Sequence, residues 1–430
     1  MFTQYIKQGW ALLRQHKFYT AIYVLGTSLA ITMVMVMAII YHIRSANMAP
    51  ENHRDRMLVT DVCSAVNKEA QSTYNWHMSY QTVKECYYAL ETPKAVAAGA
   101  NSDAMSYAVG DIYLRALAGE AGQKGFVYAT DAAFFEVFSY AFVQGRPYSE
   151  EAFESGLRQA VIAEGLARKL FKSSDVLNKT LLVNDVDYTI IGVVKDVPSV
   201  FSYAYAELWL PFSSLPAVRD LKEGGGIVGV LSAFILAEQK SDFPLIKEEI
   251  EQLRKKYNTS LVDWQYDALD GAIKTPFQAE VNKLDYSADF EELILRFGLI
   301  AFLFLLVPAL NLSGISSSKI QERMSELGIR KAFGARRAGL MQQVLTENML
   351  LTLLGGFVGL VFSVCLVYFF RELLLEGASD VAVSISLSML FNMQVFGYAL
   401  GICLLLNMMS STIPVWNAAR RPIVQTLNDK

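Results

Sequence analysis

Ser325-Glu326-Leu327-Gly328-Ile329-Arg330-Lys331-Ala332-Phe333-Gly334-Ala335-Arg336-Arg337 lies between two long apolar runs, Phe297 to Ile315 and Met349 to Phe370. From Lys319 to Arg337 the chain carries six basic side chains, Lys319, Arg323, Arg330, Lys331, Arg336 and Arg337. A short basic segment between two hydrophobic spans belongs in the cytoplasm by the positive-inside rule. It is patterned as well as charged. Ile320, Met324 and Leu327 recur at spacings of four and three, which is one helical face. Glu322, Glu326 and Arg330 follow at i, i+4 on another face, acid before base. Gly328 and Gly334 limit how far that helix runs undisturbed. The spacing predicts a short cytoplasmic helix held between two membrane spans, placed to pass force to or from a cytosolic body. The plainer alternative is a basic loop that only fixes topology.

The 430 residues are 53% hydrophobic, with positive mean hydropathy and a formal charge of −4. That is too apolar for an ordinary soluble enzyme and too charged for a chain wholly in lipid, so a mixed membrane and aqueous protein is expected. The near-neutral balance argues against a nucleic-acid partner. Residues 1–18 are amphipathic and basic, with Trp10 at headgroup depth, and read as a helix lying on membrane lipid at the cytoplasmic interface. Residues 19–43 form an apolar run longer than a signal-peptide core, with no convincing Ala-x-Ala site after it, and read as a first span. Residues 44–292 contain no further span and form an extracytoplasmic domain. The remaining order is span two at 293–316, the coupling segment at 317–340, span three at 344–370, an outer loop at 371–392, span four at 393–414, and a cytoplasmic tail at 415–430. The fold class is therefore a membrane protein with four transmembrane α-helices and a large mixed α+β domain inserted between helices 1 and 2.

Inside the outer domain, Gln159 to Ala163 reads as a buried strand feeding a helix, Glu164 to Phe171. Leu181 to Val194 reads as a hairpin turning at Asn184-Asp185. Leu208 to Pro211 and Val230 to Leu236 read as strands, Phe243 to Tyr257 as an amphipathic helix, and Gly224-Gly225-Gly226 as a flexible loop. Cys63 and Cys86 fall in this domain, and whether they pair is left open by spacing alone. In the third span, Gly355, Gly356 and Gly359 allow close contact with a neighbouring helix, in the same chain or in a second copy. Glu347, at the inner entrance of that span, is expected to reach water. Pro308 should kink the second span.

Glu326 to Ala335 resembles the segment Glu-Ile-Gly-Ile-Arg-Lys-Ala-x-Gly-Ala that follows the second span in the MacB/FtsX family of ABC transporter permeases. The likeness extends to Phe142-Val-Gln-Gly-Arg-Pro147, Ala160 to Phe171 and Ile191 to Pro198, which are similar to the MacB-type periplasmic core domain. It ends with Pro414-Val-Trp-Asn-Ala-Ala-Arg-Arg-Pro-Ile-Val-Gln-Thr-Leu427, similar to the family's tail. The resemblance implies a four-span permease in the bacterial inner membrane, both termini cytoplasmic and the large domain periplasmic. It implies that Glu326, Leu327, Gly328, Ile329, Arg330, Lys331, Phe333, Gly334, Ala335 and Arg336 seat on a cytoplasmic ABC ATPase subunit. ATP and Mg would then sit on that partner, with no cofactor on this chain. Further implied partners are a second permease copy or paralogue, a periplasmic adaptor and an outer-membrane channel. The implied function is mechanotransmission driving efflux of a periplasmic substrate, an antimicrobial or a peptide.

No Gly-x-x-x-x-Gly-Lys-[Ser/Thr] loop occurs in these residues, the four histidines are scattered, and no Gly-x-Ser-x-Gly elbow is present. Nothing points to catalysis or a metal site on this polypeptide. The spans are nearly free of ionisable residues, which favours levers over a polar conduit. The family also contains FtsX-like regulators of cell-wall hydrolases and LolC/LolE-like lipoprotein-release permeases. A membrane-anchored sensor is the alternative from another class.

Overall fold

The computed structural model describes residues 17–70, 72–116, 121–267, 272–282, 289–300, 302–303, 333, 337–375 and 382–420. The chain divides into two units. One comprises Met1–Ile43, Ala288–Leu375 and Ile385–Lys430; the other comprises Arg44–Ser287 and Glu376–Ser384.

The first unit is helical. Lys17–Ser45, Arg337–Phe369 and Met393–Arg420 are its long helices. Two stretches are long and apolar enough to cross a membrane, Thr20–Ser45 and Leu345–Phe369, and Met393–Leu406 is a shorter apolar helix. Four spans were expected, and the described residues hold two of that length. Most of the expected second span, with Pro308, lies outside the described residues, as do residues 1–16 and 421–430. These helices are apolar on more than one side, and Leu25, Leu29, Phe357 and Leu405 point outward. Acyl chains solvate such a surface; water would not.

The second unit is an α/β domain built on an eleven-stranded mixed sheet. The sheet runs from Met57–Thr60 through Ser232–Leu236, Ala95–Asn101, Val127–Thr130, Leu208–Pro211, Gln159–Ala163 and Val186–Val194 to Thr180–Val183, Tyr113–Arg115 and Gln123–Lys124. Phe142–Gly145 pairs with Val186–Val194 off that path. Gln159–Ala163 lies parallel to Val186–Val194, and Leu208–Pro211 lies parallel to Val127–Thr130. Leu208–Pro211 and the last four residues of Gln159–Ala163 are apolar and buried, as strands covered on both faces are. The Asn184-Asp185 hairpin forms as expected, with φ of 45° and 65° at the two turn residues, the left-handed pair a two-residue turn requires. The glycines of two motifs meet across one ladder. Gly145, at φ 69°, pairs with Gly192, and a Cβ on Gly192 would come 2.8 Å from the Phe142 ring.

A second sheet of four strands is ordered Val228–Gly229, Thr73–Met78, Cys63–Asn67 and Trp264–Asp267. The expected strand Val230 to Leu236 forms in shortened form as Ser232–Leu236, and a separate short strand, Val228–Gly229, precedes it. Val228–Gly229 joins the small sheet and Ser232–Leu236 joins the large one, because the chain crosses over Met78 between them. The glycines at 224–226 are not an open loop but a turn packed against the small sheet. All three have positive φ, and a Cβ on Gly225 would lie 2.5 Å from the Trp264 ring. Ser79 Oγ donates to Gly226 O at 2.6 Å and fastens that turn to the N-terminus of the helix Tyr80–Cys86.

Candidate functional site

The chain passes between its two units at four points, after Ile43, Ser287, Leu375 and Ser384. Within the outer unit, residues near three of these crossings are held on one loop, residues 197–205. Arg44 Nη1 donates to Glu280 Oε2 at 2.5 Å, and Ser202 Oγ donates to Glu280 Oε1 at 2.6 Å. Arg44 ends the first membrane helix, and Glu280 lies in the helix Pro276–Asn282 that precedes the second apolar run. Three residues away, Ser199 N donates to Ser384 Oγ at 2.7 Å, and Ser199 Oγ donates to Ala382 O at 3.0 Å. Ser384 N returns a bond to Ser199 Oγ at 2.8 Å.

Aromatic packing gives the loop a fixed seat. Tyr140 Oη donates to Ala204 O at 2.6 Å, and Trp209 Nε1 donates to Tyr140 Oη at 3.2 Å. Phe134, Phe138 and Phe234 form the layer beside them, with ring centroids 4.5 to 5.7 Å apart. The Arg54 guanidinium stands 5.0 Å over the Phe201 ring and pairs with Glu51 at 2.5 Å, both charges buried. Glu280 is only 6% exposed, so its pair with Arg44 is strong only while the geometry holds. Residues near three of the four crossings therefore share one hydrogen-bonded network on this loop. Sequence reasoning missed this junction. Arg44 carried a faint signal as the first charge after the apolar run; Ser199, Ser202 and Glu280 carried none.

Of the expected coupling residues, Glu326, Leu327, Gly328, Ile329, Arg330, Lys331, Gly334, Ala335 and Arg336 lie outside the described residues. Phe333 is described, and it is 89% exposed. The glycines of the third span are placed in full. A Cβ on Gly355 would overlap Thr27, one on Gly359 would lie 2.9 Å from Ser28 O, and one on Gly356 would lie 2.6 Å from Leu400. Their close neighbours are thus the first and last long helices of the same chain. Thr32 Oγ1 donates to Gly359 O at 3.2 Å across that seam and to Ser28 O at 2.7 Å along its own helix. Glu347, expected to be solvated, is 4% exposed, buried with Asn348 in the helical unit.

Cys63 and Cys86 stand as free thiols in one buried cluster of the outer domain. Burial pushes each thiol up to about 12; the neighbouring Cys86 adds to the effect at Cys63, and Glu85 adds to it at Cys86.

Residues 20–253 match the profile of a MacB-like periplasmic core domain, and residues 298–423 match that of an FtsX-like permease C-terminal region. Those two parts, an outer α/β domain and apolar permease helices, define an ABC transporter permease. The chain belongs to the MacB/FtsX family. It is 27% identical over 227 residues to the uncharacterized ABC transporter permease YknZ of Bacillus subtilis, covering 53% of each chain. It is 27% identical over 251 residues to the macrolide export ATP-binding/permease protein MacB of Escherichia coli K12, covering 57% of this chain and 35% of that protein. The chain thus spans about half of the first relative and about a third of the second. Among solved structures, the periplasmic region of MacB from Actinobacillus actinomycetemcomitans aligns at 16% identity and TM-score 0.37, over 56% of this chain and 98% of that one. The extracellular domain of YknZ from Gram-positive bacteria aligns at 15% identity and TM-score 0.33, over 48% of this chain and 100% of that one.

Proposed function

We propose that this permease carries ATP-driven movement from a separate cytoplasmic ATPase, which binds ATP and Mg, to its own periplasmic domain, and so drives export of a periplasmic substrate. The observation that carries the reading is the junction on residues 197–205, where Arg44, Glu280 and Ser384 are gathered within the outer domain. A polar conduit would need no such gathering, whereas a lever does. Helices that move without stretching deliver their motion at their ends, and here the end of the first long helix, at Arg44, is bonded to Glu280. The buried helix seam at Gly355 and Gly359 supports the same reading, because a close-packed pair moves as one body.

In this scheme the peg on the cytoplasmic side is Glu326 to Arg336, with Arg330 and Lys331 supplying the charge that seats it. The permease acts with a second copy or a paralogue in a bacterial inner membrane, both termini cytoplasmic. Replacing Arg330 and Lys331 together by Glu should abolish stimulation of the partner ATPase while membrane insertion stays normal. Insertion is read by carbonate extraction, and stimulation by phosphate release in proteoliposomes. Full stimulation in the double variant refutes the seat.

A further inference from the structure

On the small sheet, strand Thr73–Met78 is covered on only part of one side. Val228–Gly229 pairs with it at Met78 and His77 and goes no further. Gly229 then turns across the strand so closely that a Cβ there would lie 2.6 Å from Ser79 Cα. Ser79 N donates to Ile227 O at 2.9 Å on that side, and His77 stands opposite Gly229. Backbone groups alternate sides along a strand, so Asn75 and Thr73 direct N–H and C=O to the same side. Among the described residues no strand pairs with them there. Natural proteins usually cover or charge such an edge. This one instead borders a cavity of about 270 Å³ lined by Tyr74, Trp76, Tyr107, Leu221 and Glu223. Tyr74, Trp76 and Tyr107 are each about half exposed, at 48%, 45% and 59%. Glu223 is the one charge in the lining; its Oε1 accepts from Tyr107 Oη at 2.9 Å.

We propose that this edge is a docking site for an extended peptide segment of a partner protein, added as a strand beside Asn75, with an arginine side chain in the cavity. The open ladder supplies backbone hydrogen bonds and therefore selects a strand. The cavity selects the side chain. A guanidinium stacks on Trp76 and Tyr107 and meets the Glu223 carboxylate, which an aliphatic or acidic side chain cannot do. The new strand continues the line that Val228–Gly229 abandons at Gly229.

The test uses the full chain in nanodiscs and a fluorescein-labelled peptide, Thr-Val-Arg-Val-Thr with blocked ends, read by anisotropy. Two further peptides carry N-methyl groups on alternate residues, one set on the valines and the other on the threonines and arginine. In an added strand only one set of amides faces Asn75. One N-methylated peptide should therefore lose about tenfold or more in affinity while the other stays within about threefold. Glu223→Gln, a change at an exposed carboxylate, should weaken the parent peptide about tenfold and leave a copy with norleucine in place of arginine unaffected. The melting temperature of each variant is measured alongside to show that it is folded. Equal affinity of the two N-methylated peptides, equal response of the arginine and norleucine peptides to Glu223→Gln, or no saturable binding at millimolar peptide each overturns the proposal. So does disulfide cross-linking of Asn75→Cys between two copies of the chain, which would make a second permease the occupant of the edge.

Discussion

Asp131 follows strand Val127–Thr130 and is 3% exposed, and its carboxylate is fully engaged. Oδ1 accepts from Phe134 N at 2.9 Å; Oδ2 accepts from Ala98 N at 2.7 Å and from Tyr88 Oη at 2.5 Å. Burial pushes this carboxyl up to about 7 even though the three donors favour its charged form. A carboxyl whose pKa is higher folded than unfolded binds more protons in the native state. Its contribution to stability is therefore complete below about 4 and is lost as pH rises through about 7, a change on the order of 4 kcal/mol. Asp131→Asn removes that titration. The melting temperature of the wild type minus that of the variant should fall steadily from pH 4.5 to 7.5, and a difference independent of pH would disprove the assignment. None of this was legible in the sequence, where Asp131 is one acid among 42 acidic residues. Its burial is a tertiary fact.

At the scale of elements, the glycines separate into those a helix needs and those it merely tolerates. A Cβ on Gly359 would lie 2.9 Å from Ser28 O and 3.0 Å from Ile31, so an added methyl must push two helices apart. Gly397, in the last long helix, has nothing within 4 Å of its would-be Cβ. Gly359→Ala should lower the stability of the helical unit by about 1–3 kcal/mol through overpacking. Gly397→Ala should be neutral or stabilising by up to about 1 kcal/mol through helix propensity. Thermal unfolding in detergent compares them, and equal melting temperatures would contradict the seam. The spacing of Gly355, Gly356 and Gly359 made close packing legible from the sequence, but not the partner. Small residues license contact with any helix; only the fold selects the first and last long helices of the same chain. The glycines at 224–226 illustrate the converse. Read as punctuation they suggest slack, yet the Trp264 ring lies against Gly225 and Ser79 fastens Gly226.

At the scale of the whole molecule, Arg44, near the end of a long apolar helix, is fastened to Glu280, 236 residues further along the chain. Arg44→Ala leaves a carboxylate at 6% exposure without that counter-charge, and should weaken the junction by about 3 kcal/mol. Amide hydrogen exchange should then accelerate in residues 197–205 and 276–282 but not in the central strands Gln159–Ala163 and Leu208–Pro211. Unchanged exchange in both segments would show that the ion pair is ornamental to the junction.

The sequence by itself determined the class of protein and several strands of its α/β domain. Uncharged apolar runs of membrane length, a basic patterned segment between two of them, and strand-forming runs between turn residues are local signals, readable because hydrophobicity and turn chemistry act over a few residues. Tertiary structure alone decided which elements became neighbours. The meeting of Arg44 with Glu280 across 236 residues and of Ser199 with Ser384 across 185, the burial of Asp131, and the open edge beside Trp76 all depend on how distant strands close one core. The physical reason is that burial and electrostatic pairing are properties of enclosed space, and a chain acquires enclosed space only by folding.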